Sequence, residues 1–400
     1  MMDTHTDRLS VIVAADADLS IFNGYTCRIM AFASELKKNG IDVTLVVPKP
    51  SKNRSMIDPY GVNLVYIPIK QKGGSITNTL QRRRLLIKKV KELQKNSSIT
   101  LIESSTVGGY FAMTGFSGYV LDIHGVAFDE INYAILPWYV PKSLYQRYTY
   151  FLERIAVKRA IKVVTVSDTM AKFIINEWNA PKHKISIVSN GYFASQVANI
   201  TEKRVEERKG LVTFVGALAK WASVDKIIRV ANIFKNEGAT FYIIGGGTSE
   251  YRQELEELAR SYGLTNVVFT GSVPLNGAYE LIARSEVLLL PFPKTLCTDV
   301  ACPIKVLEYM AFGKAMVIDE VSDLSRFLKE NDAAFVCDPD DEEAFAEGIR
   351  ILLKDAGMRK RIGMNAKRLV EEFSWEKQGQ NLAKVVDEVG NLEEMKKVEV

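Results

Sequence analysis

Lys305 and Glu308 stand three residues apart, just after Pro303, in the run SEVLLLPFPKTLCTDVACPIKVLEYMAFGKAMVI (residues 285–318). Proline suits the first turn of a helix, and residues i and i+3 share one face, so a cation and a carboxylate are expected side by side on an opening turn. The unpaired N–H groups of such a turn favour an anion. An acid and a base at such a helix start suit a binding mouth; an ordinary surface ion pair has the same spacing. Further positions offer related chemistry. Gly24, in Phe22-Asn23-Gly24-Tyr25, opens a helical stretch and lets backbone approach a ligand, although the full G-x-G-x-x-G fingerprint is missing. Gly216 allows close approach after a strand, and Lys220 four residues later can meet a phosphate as a point charge. Gly245, first of three glycines, allows a tight turn over a nucleotide or forms a plain flexible loop. Gly271 and Val273 end the next strand. His124, in Leu121-Asp122-Ile123-His124-Gly125, leaves a strand end, where it can donate a hydrogen bond to a hydroxyl or serve a structural role.

These residues need elements to position them, and the chain is long enough to supply two or three domains. It has 400 residues, 47% of them hydrophobic, and a net charge of +4 with 25% charged residues. That balance carries no strong nucleic-acid footprint. No apolar run reaches the length of a bilayer span. The first strand-like run follows acidic residues and does not read as a signal peptide. Cys27, Cys297, Cys302 and Cys337 lack metal-ligand spacing and suit a reducing compartment. The three histidines, His5, His124 and His183, are too few for a multi-histidine metal site.

Strand and helix patterns alternate throughout, which predicts α/β architecture with parallel sheets. Strands are expected at residues 9–15, 42–47, 62–67, 100–103, 119–123, 162–166 and 184–188. A second series is expected at 211–215, 240–244, 266–270, 286–291, 315–318 and 334–336. The polar stretch 193–210 between them has no strand pattern and reads as the domain junction. Residues 25–38 read as a helix stopped by Asn39-Gly40. The tail reads as three helices at 342–354, 356–373 and 375–389. Two such domains would leave a cleft suited to a two-part ligand.

The segments FVGALAKWASVDKII, FYIIGGGTSEYRQELEELARSYGLTNVVFTGSV and PIKVLEYMAFGKAMVI resemble the retaining, nucleotide-sugar-dependent glycosyltransferases of GT-B architecture, the glycosyltransferase group 1 type. FNGY, DIHG, TVSDTMAKFI and IVSNGY match more loosely in the first half. The resemblance implies two Rossmann-like domains facing across a cleft. Residues 1–192 would bind the acceptor, joined by a C-terminal helix (374–400) that crosses back to them. Residues 193–373 would bind the nucleotide sugar. It implies that Glu308 accepts hydrogen bonds from ribose hydroxyls, that Gly271 to Val273 border the base, that His124 lies near the transferred sugar, and that Gly24 approaches the diphosphate. Three positions depart from the family pattern. The first acid of Glu-x7-Glu falls on Val300, with Asp299 beside it as the substitute. The usual arginine is Ala217, and the usual Lys-Gly pair is Ala222-Ser223, leaving Lys220 and Lys305 as replacement cations.

The function so implied is transfer of a hexose-type sugar from a nucleotide-diphosphate donor to an acceptor hydroxyl, on a glycan or lipid-linked, with retention at the anomeric carbon. The donor is a substrate, and neither cofactor nor metal is expected. A nucleotide-sugar epimerase of similar build and a non-catalytic nucleotide-binding subunit are the alternatives. Thr79–Lys95 (TLQRRRLLIKKVKELQK) sets seven basic residues around an apolar stripe. It suits an anionic membrane surface or a solvated helix face. The aromatic run 132–150 suits an acceptor groove, an interface or the core. The expected location is the cytoplasm, peripheral to the inner face of the membrane.

Overall fold

The computed structural model describes residues 9–50, 61–68, 75–94, 98–134, 136 and 138–398. His5, Lys95, Ile135 and Pro137 lie outside the described residues. The chain divides into two compact units, residues 1–190 with 375–400, and residues 191–374.

The first unit is built on seven parallel strands: β1 Ser10–Ala14, β2 Asp42–Pro48, β3 Asn63–Ile67, β4 Ser98–Glu103, β5 Val120–Ile123, β6 Lys162–Thr165 and β7 Ile185–Ile187. Their order is β3-β2-β1-β4-β5-β6-β7. The second unit has six, β8 Leu211–Val215, β9 Thr240–Ile244, β10 Val267–Gly271, β11 Val287–Leu290, β12 Ala315–Asp319 and β13 Phe335–Cys337, in the order β10-β9-β8-β11-β12-β13. Every expected strand has its counterpart. β5, β11 and β12 are buried at every residue. Continuous Val/Ile/Leu runs rather than alternation are what helices on both faces of a parallel sheet demand. Each sheet reverses its strand order once, between β1 and β4 and between β8 and β11. Ligands bind at such reversals because the loops leaving the two strands diverge and open a crevice.

The stretch 193–210 is not a bare linker. Ala194–Glu202 is a helix whose Val197 and Ile200 are buried within the second unit. Two apolar residues among polar ones were too weak a period to reveal it. The Trp375–Val398 helix belongs to the first unit and packs on the Gly24–Lys38 helix. Trp375 is buried with its ring edge-on to Phe32 at 5.4 Å. Gly379 allows this approach, since a Cβ there would lie 2.2 Å from that of Glu35.

The basic helix Ser75–Leu93 turns part of its charge inward. Arg82 and Arg83 donate to Asp16, at 2.7 and 3.1 Å, in the loop after β1. Arg84, Lys88 and Lys91 remain exposed. Among the described residues, no helix is long and apolar enough to cross a membrane.

Candidate functional site

In the second unit, the loops at the sheet reversal bring Gly216 and Lys305 together. β8 ends at Val215 and β11 leads through Pro303 into the Ile304–Ala311 helix. Lys305 reaches back until its Nζ lies where a Gly216 side chain would be: a Cβ there would sit 2.1 Å from it. The ammonium lies 4.5 Å from the Phe214 ring centre and 5.2 Å from that of Phe292. It is buried without a hydrogen-bond acceptor. Burial pushes the Lys305 amine down to about 7, against the pull of Glu308. A buried ammonium in contact with rings and a glycine loop, without a hydrogen-bond acceptor, lacks the pairing that buried charges ordinarily have.

Glu308 lies one turn on. It is buried and accepts a 2.9 Å hydrogen bond from the Tyr279 hydroxyl. Burial pushes its carboxyl up to about 7, opposed by that hydrogen bond and by Lys305. One oxygen is thereby oriented, and the group titrates in the same range as its neighbour. Tyr309, the next residue, accepts the Val215 N–H on its hydroxyl at 3.0 Å and pins the end of β8.

The glycine loops interlock. The Gly216 N–H donates to Ile244, the Gly245 N–H to Gly271, and the Leu218 N–H to Gly246. Gly245 has φ +146, and a Cβ on it would lie 1.8 Å from the Gly216 carbonyl oxygen. Only glycine fits. Gly271 ends β10 at a register shift, and Val273 follows it half-buried. The strand ends bearing Gly216, Gly245 and Gly271 are therefore neighbours in one unit, with Lys305 beside Gly216 and Glu308 one turn further along the same helix.

Lys220 and Asp299 have other partners. Lys220 Nζ lies 2.9 Å from Glu254, with half of its side chain exposed. Asp299, on the short Leu296–Asp299 turn, pairs with Arg326 at 3.2 Å. Its neighbour Val300 points into the core and is fully buried. Ser223, where the family pattern has glycine, adopts φ +43 and caps the Val224–Ile233 helix in the left-handed region that glycine prefers.

In the first unit, Gly24 is the exposed first residue of its helix. Asn23 caps it, accepting the Thr26 N–H at 2.9 Å while Thr26 Oγ1 accepts the Asn23 N–H. His124 leaves β5 and stacks on Tyr25, ring centres 5.0 Å apart. Burial pushes its imidazole down to about 4, with Asp122 opposing and Arg28 adding. It is therefore neutral at physiological pH, and its buried Nδ1 has no hydrogen-bond partner, the nearest Asp122 oxygen lying 3.9 Å away.

Behind His124 lies a network that sequence reading missed. Arg28, fully buried, donates to both Asp122 oxygens at 2.6 and 2.7 Å. It also donates to the Val188 and Ser189 carbonyls and to Asn190 Oδ1. Glu103, at the end of β4, is buried beside them; burial and the Asp122 charge hold its carboxyl well above the usual range. Glu103, Asp122 and His124 place one ligand-type atom each within 4.8 Å of one another. The Arg28 guanidinium already neutralises Asp122, and burial disfavours a charge on Glu103, so the donor set offers a dication little net negative charge. One signal was readable: Arg28 interrupts the apolar face formed with Phe32 and Leu36 at i+4 and i+8.

Comparison with known proteins follows the same division. Residues 22–195 match the model of Glycosyltransferase Family 4, and residues 196–369 that of Glycosyl transferases group 1. An uncharacterized glycosyltransferase of Methanocaldococcus jannaschii is 27% identical over 248 residues, 58% of this chain and 60% of its own length. The chain thus aligns with less than two thirds of that relative. The O-antigen chain mannosyltransferase of Salmonella typhimurium is 27% identical over 218 residues, 54% of this chain and 58% of its own. Among solved structures, sucrose-phosphate synthase from Thermosynechococcus elongatus superposes with TM-score 0.79 at 14% identity, covering 96% of this chain and 99% of that one. Anabaena HepE, solved in complex with UDP-glucose, gives TM-score 0.74 at 14% identity, covering 95% and 99%. Two consecutive family matches, two parallel sheets and the fold of these neighbours agree: the chain belongs to the glycosyltransferase group 1 family and has the GT-B fold.

Proposed function

We propose that this glycosyltransferase moves a hexose-type sugar from a nucleotide-diphosphate donor to a hydroxyl of a glycan or lipid-linked acceptor, with retention at the anomeric carbon. The observation that carries the donor assignment is Lys305, a buried cation without an acceptor, held against Gly216 at the sheet reversal. The diphosphate would supply its missing counter-charge and leave with it stabilised. Glu308, one oxygen fixed by Tyr279, would take the ribose hydroxyls. The loop from Gly271 to Val273 would border the base, with Gly245 keeping the backbone low beneath it. In the first unit, Gly24 and the neutral His124 are proposed to meet the diphosphate and the transferred sugar. Asp299 would have to leave Arg326 to take the role of the missing acid at Val300. The mannosyltransferase relative is named for an O-antigen chain, which supports a glycan acceptor.

The test is calorimetry with a panel of nucleoside diphosphates, their nucleosides and their sugars, on the wild type and Lys305→Met. The variant should lose about 10–100-fold in affinity for the diphosphate, the scale of one charge-assisted contact, and keep its affinity for the nucleoside. Equal loss for both would remove Lys305 from the diphosphate site. Acceptor-dependent release of nucleotide distinguishes transfer from epimerisation and from binding without turnover.

A further inference from the structure

Six large apolar side chains stand in solvent on one stretch of the first unit. Trp138, Tyr139, Leu144, Tyr145, Tyr148 and Phe151 are 96, 60, 63, 39, 36 and 51% exposed. Leu144, Tyr148 and Phe151 recur at i, i+4 and i+7 and form one face of the Lys142–Arg159 helix. Its other face, with Leu152, Ala156 and Val157, is buried in the unit. Monomeric proteins seldom leave a contiguous aromatic strip open unless something covers it.

The charges around the strip select what covers it. Every exposed charged residue of this helix is a cation: Lys142, Arg147, Arg154, Lys158 and Arg159. Its single acid, Glu153, is fully buried and accepts the Ser105 hydroxyl and the Ala127 and Phe128 N–H groups. Arg147 and Arg154 flank Phe151 at four and three residues, so cations and aromatics interleave on one face. The strip also continues beyond its helix. The Tyr148 hydroxyl donates to that of Tyr110 at 3.2 Å, and the Arg83 guanidinium lies 4.4 Å from the Tyr110 ring centre. That leads onto the Ser75–Leu93 helix with its exposed Arg84, Lys88 and Lys91. The adjoining Ala127–Glu130 turn carries two acids, Asp129, which accepts the Asn132 amide, and the exposed Glu130.

Tryptophan and tyrosine rings settle at the headgroup level of a bilayer, and interleaved cations attract anionic lipid phosphates. We infer that the Trp138–Phe151 face docks on an anionic membrane surface, with the aromatic strip as its apolar contact and Arg84, Lys88 and Lys91 as an outlying basic flank. The inference rests on the reading of a membrane-borne acceptor and names the surface that would carry the enzyme to it.

The test is flotation of the full chain with phosphatidylglycerol/phosphatidylcholine vesicles and with phosphatidylcholine alone, at low and high salt. The wild type should float with the anionic vesicles at low salt only. The combined variant Trp138→Ser, Leu144→Ser, Phe151→Ser removes exposed side chains, and far-UV circular dichroism and a thermal melt matching the wild type report that its first unit is folded; its partitioning should fall at least tenfold. Arg147→Gln and Arg154→Gln should each cost roughly fivefold. Three results overturn the proposal: a wild type that ignores anionic vesicles at low salt, a serine variant that floats as well as the wild type, or a strip that instead holds two copies together, seen as a dimer in sedimentation that the serine variant dissolves. Flotation needs no turnover. A chain that floats through this strip but glycosylates only water-soluble acceptors would keep the docking surface and refute the lipid-linked acceptor.

Discussion

Lys305 and Glu308 show how burial, rather than residue type, sets the chemistry of this site. Each is moved to about 7, one downward and one upward, because each lacks full compensation for lost water. If the donor needs ammonium and carboxylate together, nucleotide affinity should peak near pH 7. Below it Glu308 gains a proton and stops accepting; above it Lys305 loses one and stops neutralising phosphate. Each limb should fall by up to tenfold per pH unit, read by calorimetry across pH 5.5–8.5. Lys305→Met should flatten the alkaline limb and Glu308→Gln the acid limb. His124, held down to about 4, should contribute to neither. The same physics predicts a trade-off. A buried, uncompensated cation destabilises the fold, so Lys305→Met should raise stability by about 1–3 kcal/mol in denaturant titration while diphosphate binding is lost. A variant less stable than the wild type would mean that the ring contacts to Phe214 and Phe292 outweigh the desolvation.

At the scale of elements, two glycines of adjacent strands have different tasks. The Cβ of Gly216→Ala would meet the flexible end of Lys305, 2.1 Å away, which can swing aside. The Cβ of Gly245→Ala would meet the backbone oxygen of Gly216 at 1.8 Å, with φ +146 adding strain. Gly216→Ala, with φ +158 and a flexible lysine end as its closest neighbour, should therefore lose less stability than Gly245→Ala and lose diphosphate affinity about tenfold or more. Gly245→Ala should lose about 3 kcal/mol or more of stability, because two strand ends must part. Thermal melts together with calorimetry separate the two. Equal stability losses would show that the loops act as one rigid body. The strands themselves were legible from their apolar runs, and the Asn39-Gly40 stop falls where the Gly24–Lys38 helix ends. The Ala194–Glu202 helix was not legible, because two buried residues in nine do not make a period.

At the scale of the molecule, the division into units makes one of them discontinuous. The second unit is a single stretch, 191–374, with its own sheet, core and glycine loops. Expressed alone it should fold and bind nucleotide within about threefold of the full chain, measured by circular dichroism and calorimetry. The first unit needs its distant C-terminal helix: removing residues 375–400 uncovers Phe32 and deletes the buried Trp375. That loss should exceed the about 3–5 kcal/mol typical of a single Trp→Ala change in a core. A truncated chain with an unchanged melt would mean that the helix covers the unit without stabilising it.

Taken by itself, the sequence determined the periodic part of this protein. Thirteen strands, the α/β class and the loops bearing Gly216, Gly245 and Gly271 follow from local runs of apolar residues and from turn chemistry, which neighbouring residues encode. The Lys305–Glu308 pair was equally readable, since three residues on a helix fix a shared face. Whether Lys305 or Lys220 faces the glycine loops was not readable, because both lie near such loops in sequence. Tertiary structure decided it: Glu254, on another helix, takes Lys220, while two rings and Gly216 enclose Lys305. The Arg28–Asp122 pair spans 94 residues and the aromatic strip is defined by what fails to cover it. Contacts and exposures of that kind belong to the packed chain, since they depend on which distant elements the sheet order makes neighbours.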